Sequence, residues 1–412
     1  MIVTNGSQYN DRDFDKRIDE LLQINQLKKI EGKLVGVCLG EPFDFLSLIF
    51  YIMKSQGSIL VIHPETPLEN ATETSRKAGC SYLIYQDCQE IYTLNGSFPF
   101  HEPSILQYSS GTTGEPKLIE RSWNNIERET DDYNRKLFFD SSEVPIILVP
   151  LVHSYGLGSG VLAALKRGSI PIIVTGRNPK FMAYMIKKTK KSIIYGTPFF
   201  FNLLLSLKDP ELQFHKVVSS GAPLSEKLLD QLRHNSYEVF QQYGSTETGC
   251  IALGKALTSA TDVGSPLQYL TVTINGNSGL GEIRVSFDNK VVRTRDLGYF
   301  SDTGSLNVVS RMDDLINVGG QKVIPYEVET VIARLENIKE VVVYKTKHPI
   351  YGEAVKAMIV ASGAITIATI KNWCQKYLPP FKIPYLIEIV EEISKTPNGK
   401  ISRKLLIERE NQ

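Results

Sequence analysis

Residues 105–117 read Ile-Leu-Gln-Tyr-Ser-Ser-Gly-Thr-Thr-Gly-Glu-Pro-Lys. The first four, Ile105–Tyr108, form a short apolar run of the kind that makes a buried strand, and a helical pattern starts at Trp123. Between them, Gly111 and Gly114 free the backbone to turn several N–H groups into one concavity, a nest suited to phosphate oxygens. Ser109, Ser110, Thr112 and Thr113 add hydroxyl donors, and Lys117 adds a cation. Composition alone reads as a flexible Ser/Gly/Thr surface loop. Its place between a buried strand and a helix makes it a candidate anion cradle instead. No Gly-Lys-[Ser/Thr] ends the run, which disfavours a Walker-type P-loop NTPase.

Outward from this stretch, short apolar runs alternate with longer helical patterns. Candidate strands are Leu34–Leu39, Ile59–His63, Tyr82–Tyr85, Ile146–Pro150, Ile170–Val174, Ser192–Tyr195, Val217–Ser219 and Glu238–Gln241. Candidate helices are Asp15–Lys29, Asp44–Gln56, Trp123–Lys136, Gly156–Lys166 and Ser225–His234. The alternation predicts an α/β fold with mainly parallel, helix-covered sheets, whose ligands collect at the carboxyl ends of strands. After about residue 265 the pattern becomes strand-rich, as in a small barrel. A charged joint, Arg311-Met312-Asp313-Asp314, then leads into a compact α+β segment: strand, Gly319-Gly320 turn, helix from Pro325, two strands, helix from Ile367 and strand Leu386–Val390. With 412 residues and roughly 150 per domain, one large and one small domain are expected. They are placed at 1–311 and 312–412.

Composition narrows the function. Lys plus Arg number 46 against 45 Asp plus Glu, so the surplus of positive charge that a nucleic-acid binder needs is missing. The five cysteines are scattered and contain no Cys-x-x-Cys pair, which argues for a reducing compartment and against a disulfide framework or zinc site. The N-terminus is polar, without the apolar core of a signal peptide. The most apolar stretch, Phe43 to Met53, carries Asp44 and is too short to span a bilayer. The expectation is a cytoplasmic protein without a membrane segment.

Further motifs follow the quoted loop in a fixed order. They are Ser219-Ser-Gly-Ala-Pro-Leu224, Gln241-Gln-Tyr-Gly-Ser-Thr-Glu-Thr248, Arg293-Thr-Arg-Asp-Leu-Gly-Tyr299, the joint with Leu315–Glu329, and Lys395-Thr-Pro-Asn-Gly-Lys-Ile-Ser-Arg-Lys404. Together they closely resemble the adenylate-forming superfamily of acyl-CoA synthetases, adenylation domains and aryl-acid ligases, over some three quarters of the chain. The resemblance implies activation of a carboxylic acid by ATP and Mg²⁺ to an acyl-AMP, with release of pyrophosphate. It implies that Gly221 and Ala222 admit the adenine, that Tyr243 stacks on it beside Gly244, that Thr246 donates to the α-phosphate and that Glu247 holds Mg²⁺. It further implies that Asp296 and Arg311 bind the ribose, that Asp313 is the hinge of a mobile C-terminal domain, and that Lys400 is the lysine between carboxylate and α-phosphate. One position departs from the family: Arg295 stands where a glycine is usual.

The acceptor implied is a thiol, either coenzyme A or the phosphopantetheine arm of an acyl or aryl carrier protein. No carrier-domain signature is found, so a carrier is expected in trans. Pro150–Gly156 resembles the segment lining the acid pocket, with His153 and Ser154, and Tyr195-Gly196 is a second candidate wall. Ligases for salicylate and 2,3-dihydroxybenzoate typically carry His-Asn at this place, the Asn meeting the ortho-hydroxyl. Ser154 therefore argues for an aryl acid hydroxylated elsewhere. The short region ahead of Tyr108 is similar to that of ligases activating 3,4-dihydroxybenzoate for catecholate siderophores. An acyl-CoA synthetase for an aliphatic acid is the alternative. A non-catalytic nucleotide-binding regulator is remote, because Lys400, Glu247 and Asp296 are all retained.

Overall fold

The structure, a computed structural model, describes residues 1–99, 102–108, 117–176, 178–276, 279–288, 290–395 and 401–410. Its contacts gather into two compact units. One comprises residues 1–221, 235–255 and 267–270, the other 222–234, 256–266 and 271–412.

The first unit is built on two mainly parallel sheets. In one, the strands Ile91–Thr93, Tyr82–Tyr85, Leu34–Cys38, Ser58–Val61, Ser104–Tyr108 and Leu118–Ser122 lie side by side, parallel except at the two edges. Leu34–Cys38 is buried at every position, as expected of an inner parallel strand covered on both faces. In the other, the order is Gly249–Lys255, Ser236–Ser245, Phe214–Ser219, Ser192–Gly196, Val144–Ile147, Ile172–Ile173, Ile2–Thr4 and Ser7–Tyr9. The predicted α/β architecture is the one found.

Three local expectations change. The first helix runs Asp11–Gln23 rather than from Asp15, because Asn10 and Asp13 form a reciprocal capping box that starts it earlier. Ile2–Thr4 forms a strand that pairs with Ile172–Ile173, a contact across some 170 residues that local pattern does not announce. Where a helix was expected from Gly156, Tyr155–Leu162 forms a π-helix and only Ala163–Lys166 is α-helical. The run lies tight on the sheet: a Cβ added at Gly160 would come within 2.9 Å of Ile147. Such wide turns are frequent at functional sites.

The second unit contains an antiparallel meander, Thr271–Asn275, Gly281–Phe287, Lys290–Phe300 and Leu306–Arg311. It also contains a sheet ordered Gln321–Val323, Ile316–Val318, Gly352–Ala361, Ile338–His348, with Leu386–Val390 parallel to Gly352–Ala361. Alternate residues of Ile338–His348 feed two cores, as period-2 pleating requires. Val343 packs with Val328, Ile332 and Ile370 from the helices Pro325–Ala333 and Ile367–Tyr377. Val342 and Tyr344 pack with Leu406 of the helix Arg403–Glu410.

Candidate active site

Parallel register sets four candidate motifs along one sheet edge. Ile147 is level with Tyr195, Gly196 with Ser219, and Ser219 with Gln241. The carboxyl ends of these neighbouring strands therefore deliver, in spatial order, the 150–156 segment, Gly196, Ser220-Gly221 and Tyr243–Thr248. This is the crevice side of an open α/β sheet. The strand entering the quoted loop is tied to the same edge: Gln107 Nε2 donates to the Val152 carbonyl at 2.5 Å. Lys117 is exposed at the loop's far end. Ser109, Ser110, Gly111, Thr112, Thr113 and Gly114 lie outside the described residues.

Along this edge Gly221 has φ +83°, and His153 is exposed with Ser154 half-buried beside it. Tyr195 is fully buried, its ring 6.0 Å from that of Tyr155, so it underlies the edge while Gly196 reaches it. The Tyr155 hydroxyl donates to the Val218 carbonyl at 2.6 Å, and burial pushes its phenol well up. Two hydroxyls at the strand ends, Thr197 Oγ1 and Ser219 Oγ, are buried with no hydrogen-bond partner among the described residues. Buried hydroxyls are normally satisfied, so these two are candidates to meet a polar ligand group.

Strand Ser236–Ser245 turns sharply through Thr246-Glu247-Thr248 into Gly249–Lys255. The Ser245 and Thr248 hydroxyls, 3.0 Å apart, close the turn. Tyr243, Thr246 and Glu247 are half-buried and Gly244 is exposed. Among the described residues no group of three or more His, Cys, Asp or Glu side chains is gathered to hold an ion. A lone carboxylate such as Glu247 suits Mg²⁺ that arrives on substrate phosphates, because that ion keeps waters and commonly takes only one or two protein carboxylates.

In the second unit, Asp296 and Arg311 face each other in antiparallel register, with Arg311 Nε 3.2 Å from Asp296 Oδ1. Arg295 adopts φ +60°, the left-handed conformation a glycine would take without strain. Its guanidinium lies 2.5 Å from Asp313 Oδ1. Ala222 is half-buried. Lys400 lies outside the described residues, but its flanks are placed. Lys395 and Ile401 form an antiparallel bridge. Arg403 binds Asp314 at 3.0 Å and Glu329 at 2.6 Å and donates from Nε to the Val343 carbonyl at 2.8 Å.

Reading the sequence alone missed the buried charges of the helix Trp123–Leu137. Glu129 and Asp132 are each 1% exposed, on the face that also carries Ile126 and Tyr133. The available signal was two carboxylates on the apolar stripe of an amphipathic helix.

The family model described as AMP-binding enzyme matches residues 96–285, and that described as AMP-binding enzyme C-terminal domain matches residues 327–400. Over 408 residues, 98% of each chain, the sequence is 42% identical to the 3,4-dihydroxybenzoate–[aryl-carrier protein] ligase of Bacillus anthracis. It is 27% identical to the 2-succinylbenzoate–CoA ligase of Oceanobacillus iheyensis, over 76% of this chain and 71% of that one. Among solved structures, ATP-bound MatB from Rhodopseudomonas palustris matches with a TM-score of 0.85 at 18% identity, covering 99% of this chain and 95% of that one. The anthranilate CoA ligase AuaEII in complex with anthranoyl-AMP matches with 0.85 at 19%, covering 98% and 93%. The two structures share the fold, and the sequence matches reach further: the chain belongs to the AMP-binding enzyme family, the adenylate-forming superfamily of acid–thiol ligases.

Proposed function

We propose that this chain activates 3,4-dihydroxybenzoate with Mg·ATP and transfers the acyl group to the phosphopantetheine thiol of an aryl-carrier protein supplied in trans. The observation that carries this is the 42% identity over 98% of both chains to a ligase of that name.

In the first step a carboxylate oxygen attacks the α-phosphorus, the bond to the bridging oxygen breaks, and pyrophosphate leaves. Two anions must meet, so the protein's work is positioning and charge stabilisation. Gly221 and Ala222 admit the flat base, Tyr243 stacks on it beside Gly244, and Thr246 donates to the α-phosphate. Glu247 takes the Mg²⁺ carried by the phosphates. Asp296 accepts from both ribose hydroxyls, with Arg311 orienting its carboxylate. The 109–117 loop cradles the pyrophosphate, and Lys400 neutralises charge between carboxylate and α-phosphate. In the second step the small domain turns about Asp313, the thiol sulfur attacks the acyl carbon, and AMP leaves.

His153 and Ser154 line the acid pocket in this reading. The 3,4-isomer has no hydroxyl ortho to its carboxylate, which fits Ser154 where ligases for ortho-hydroxy acids carry Asn. An ATP–pyrophosphate exchange panel tests the substrate. Exchange is expected to be fastest with 3,4-dihydroxybenzoate and slower with the 2,3-isomer and benzoate. Fast exchange with octanoate and none with dihydroxybenzoates would end this reading.

A further inference from the structure

The helix Trp123–Leu137 grips the Thr246-Glu247 turn from both sides. Positions 129, 132 and 133 share one helix face, and all three side chains are buried. On the strand entering the turn, the Tyr133 hydroxyl donates to Gln242 Oε1 at 3.0 Å, and the Gln242 amide donates on to Ser159 Oγ at 2.9 Å. On the strand leaving it, Glu129 Oε1 accepts the Cys250 N–H at 2.7 Å. Asp132 Oδ2 accepts the Tyr269 N–H at 2.9 Å, and the Tyr269 hydroxyl donates to the Thr248 carbonyl at 3.2 Å.

The second oxygen of Glu129 pairs with Arg121 at 2.5 Å, and Arg121 is only 6% exposed. Arg121 sits on Leu118–Ser122, the strand that begins immediately after Lys117. One buried carboxylate thus bridges the strand returning from the 109–117 loop and the strand leaving the Thr246-Glu247 turn. The fit leaves no slack: Gly249 has φ +70°, and a Cβ there would lie 2.3 Å from Glu129 Oε2.

A buried ion pair is a poor choice for stability, since apolar residues of similar volume hold a core as well or better. What it supplies is direction, because each carboxylate oxygen fixes one partner in a defined geometry. We infer that Glu129 is a positioning residue for adenylation: it fixes the Thr246-Glu247 turn against the strand Leu118–Ser122, so that the groups meeting the α-phosphate and the Mg²⁺-bound phosphates are set before ATP binds. This rests on the adenylation reading above, and extends it to a residue that touches no substrate.

Two variants test it. Glu129→Gln keeps an acceptor for Cys250 but leaves Arg121 unpaired, with a risk of misfolding. The double variant Arg121→Met/Glu129→Gln keeps that acceptor, fills the arginine's volume and strands no charge, so it is the deciding protein. Its melting temperature should stay near that of the wild type. Its KM for Mg·ATP and the Mg²⁺ concentration at half-maximal exchange should rise about 10-fold or more, as loss of alignment does, with KM for the acid unchanged. A merely structural role lowers the folded fraction, and hence the maximal rate alone. Unchanged Mg·ATP and Mg²⁺ dependence in the folded double variant would overturn the inference. Calorimetric titration of wild type and variant with Mg·ATP, without acid, separates the two claims. If the wild type binds Mg·ATP yet exchanges with no dihydroxybenzoate, the substrate reading fails while a weakened affinity in the variant still supports the positioning role. An unweakened one overturns it.

Discussion

The 243–250 hairpin and the 293–313 segment both carry carboxylates assigned to the nucleotide, yet they are held in opposite ways. Around the hairpin, Glu129, Arg121 and Asp132 are almost wholly buried, and the carboxylates hold the Cys250 and Tyr269 N–H groups and the Arg121 guanidinium. Around the other segment, the Arg295 side chain is 50% exposed and its partner Asp313 28%, and Arg295 carries a strained φ. Buried pairs in low dielectric are strong once made and costly to break, while exposed pairs contribute little. The difference teaches that the hairpin, the phosphate side of the proposed site, is built to stay still. The segment ending in the proposed hinge is tied by contacts weak enough to exchange.

The contrast can be broken at several points. Glu129→Leu strands the Arg121 charge and should destabilise the protein by about 3–5 kcal/mol, read as a lower denaturant midpoint. A loss under about 1 kcal/mol would show that water or another group reaches Arg121, and the phosphate side would no longer differ from the hinge side. Asp296→Ala takes a buried carboxylate from Arg311 and should cost about 1–3 kcal/mol of stability. It should raise KM for ATP by about 10- to 100-fold, from the roughly 1.5–3 kcal/mol of hydrogen bonds to a charged group. An unchanged KM would remove Asp296 from the ribose site. The smallest effect is expected from Arg295→Gly. It loses an exposed pair worth about 0–1 kcal/mol and relieves a left-handed backbone that costs about 1–2 kcal/mol. The protein should therefore be equally stable or stabilised by up to about 2 kcal/mol. If the pair restrains the hinge, the balance between adenylation and thiol-transfer rates should shift in the same variant. A loss of more than 2 kcal/mol would mean that the Arg295–Asp313 pair acts as a buried one.

The small α+β segment was legible almost strand by strand, because Gly319-Gly320, Pro325 and the alternating apolar residues of 338–361 each encode their element locally. The strand-end motifs were legible for a related reason: parallel strands alternating with helices bring separate carboxyl ends to one edge. Other features depend on partners far along the chain. Ile2–Thr4 pairs locally with Ser7–Tyr9 through the Asn5-Gly6 turn, a hairpin signal the expected elements passed over, but its parallel partner Ile172–Ile173 lies some 170 residues away. The π-helix at Tyr155–Leu162 has apolar content that would suit an α-helix equally, and Gly160 within it lies close on Ile147. Asn10 and Asp13 stand at capping-box spacing, a local signal that the expected start at Asp15 overlooked. The Glu129 bridge stayed hidden because charge on a helix ordinarily means solvent, and only the fold shows Arg121 and Cys250 waiting for it. At Arg295 the sequence flagged a glycine replaced, and the backbone keeps the glycine-like φ.

The central claim, acid activation followed by delivery to a carrier, is tested most directly by a loading assay read by intact mass. Purified protein is given Mg·ATP, 3,4-dihydroxybenzoate, octanoate, coenzyme A and a phosphopantetheinylated aryl-carrier protein together. The account predicts a carrier bearing one dihydroxybenzoyl group, with little acyl-CoA formed. An octanoyl-loaded carrier, or acyl-CoA as the main product with the carrier left bare, would contradict it.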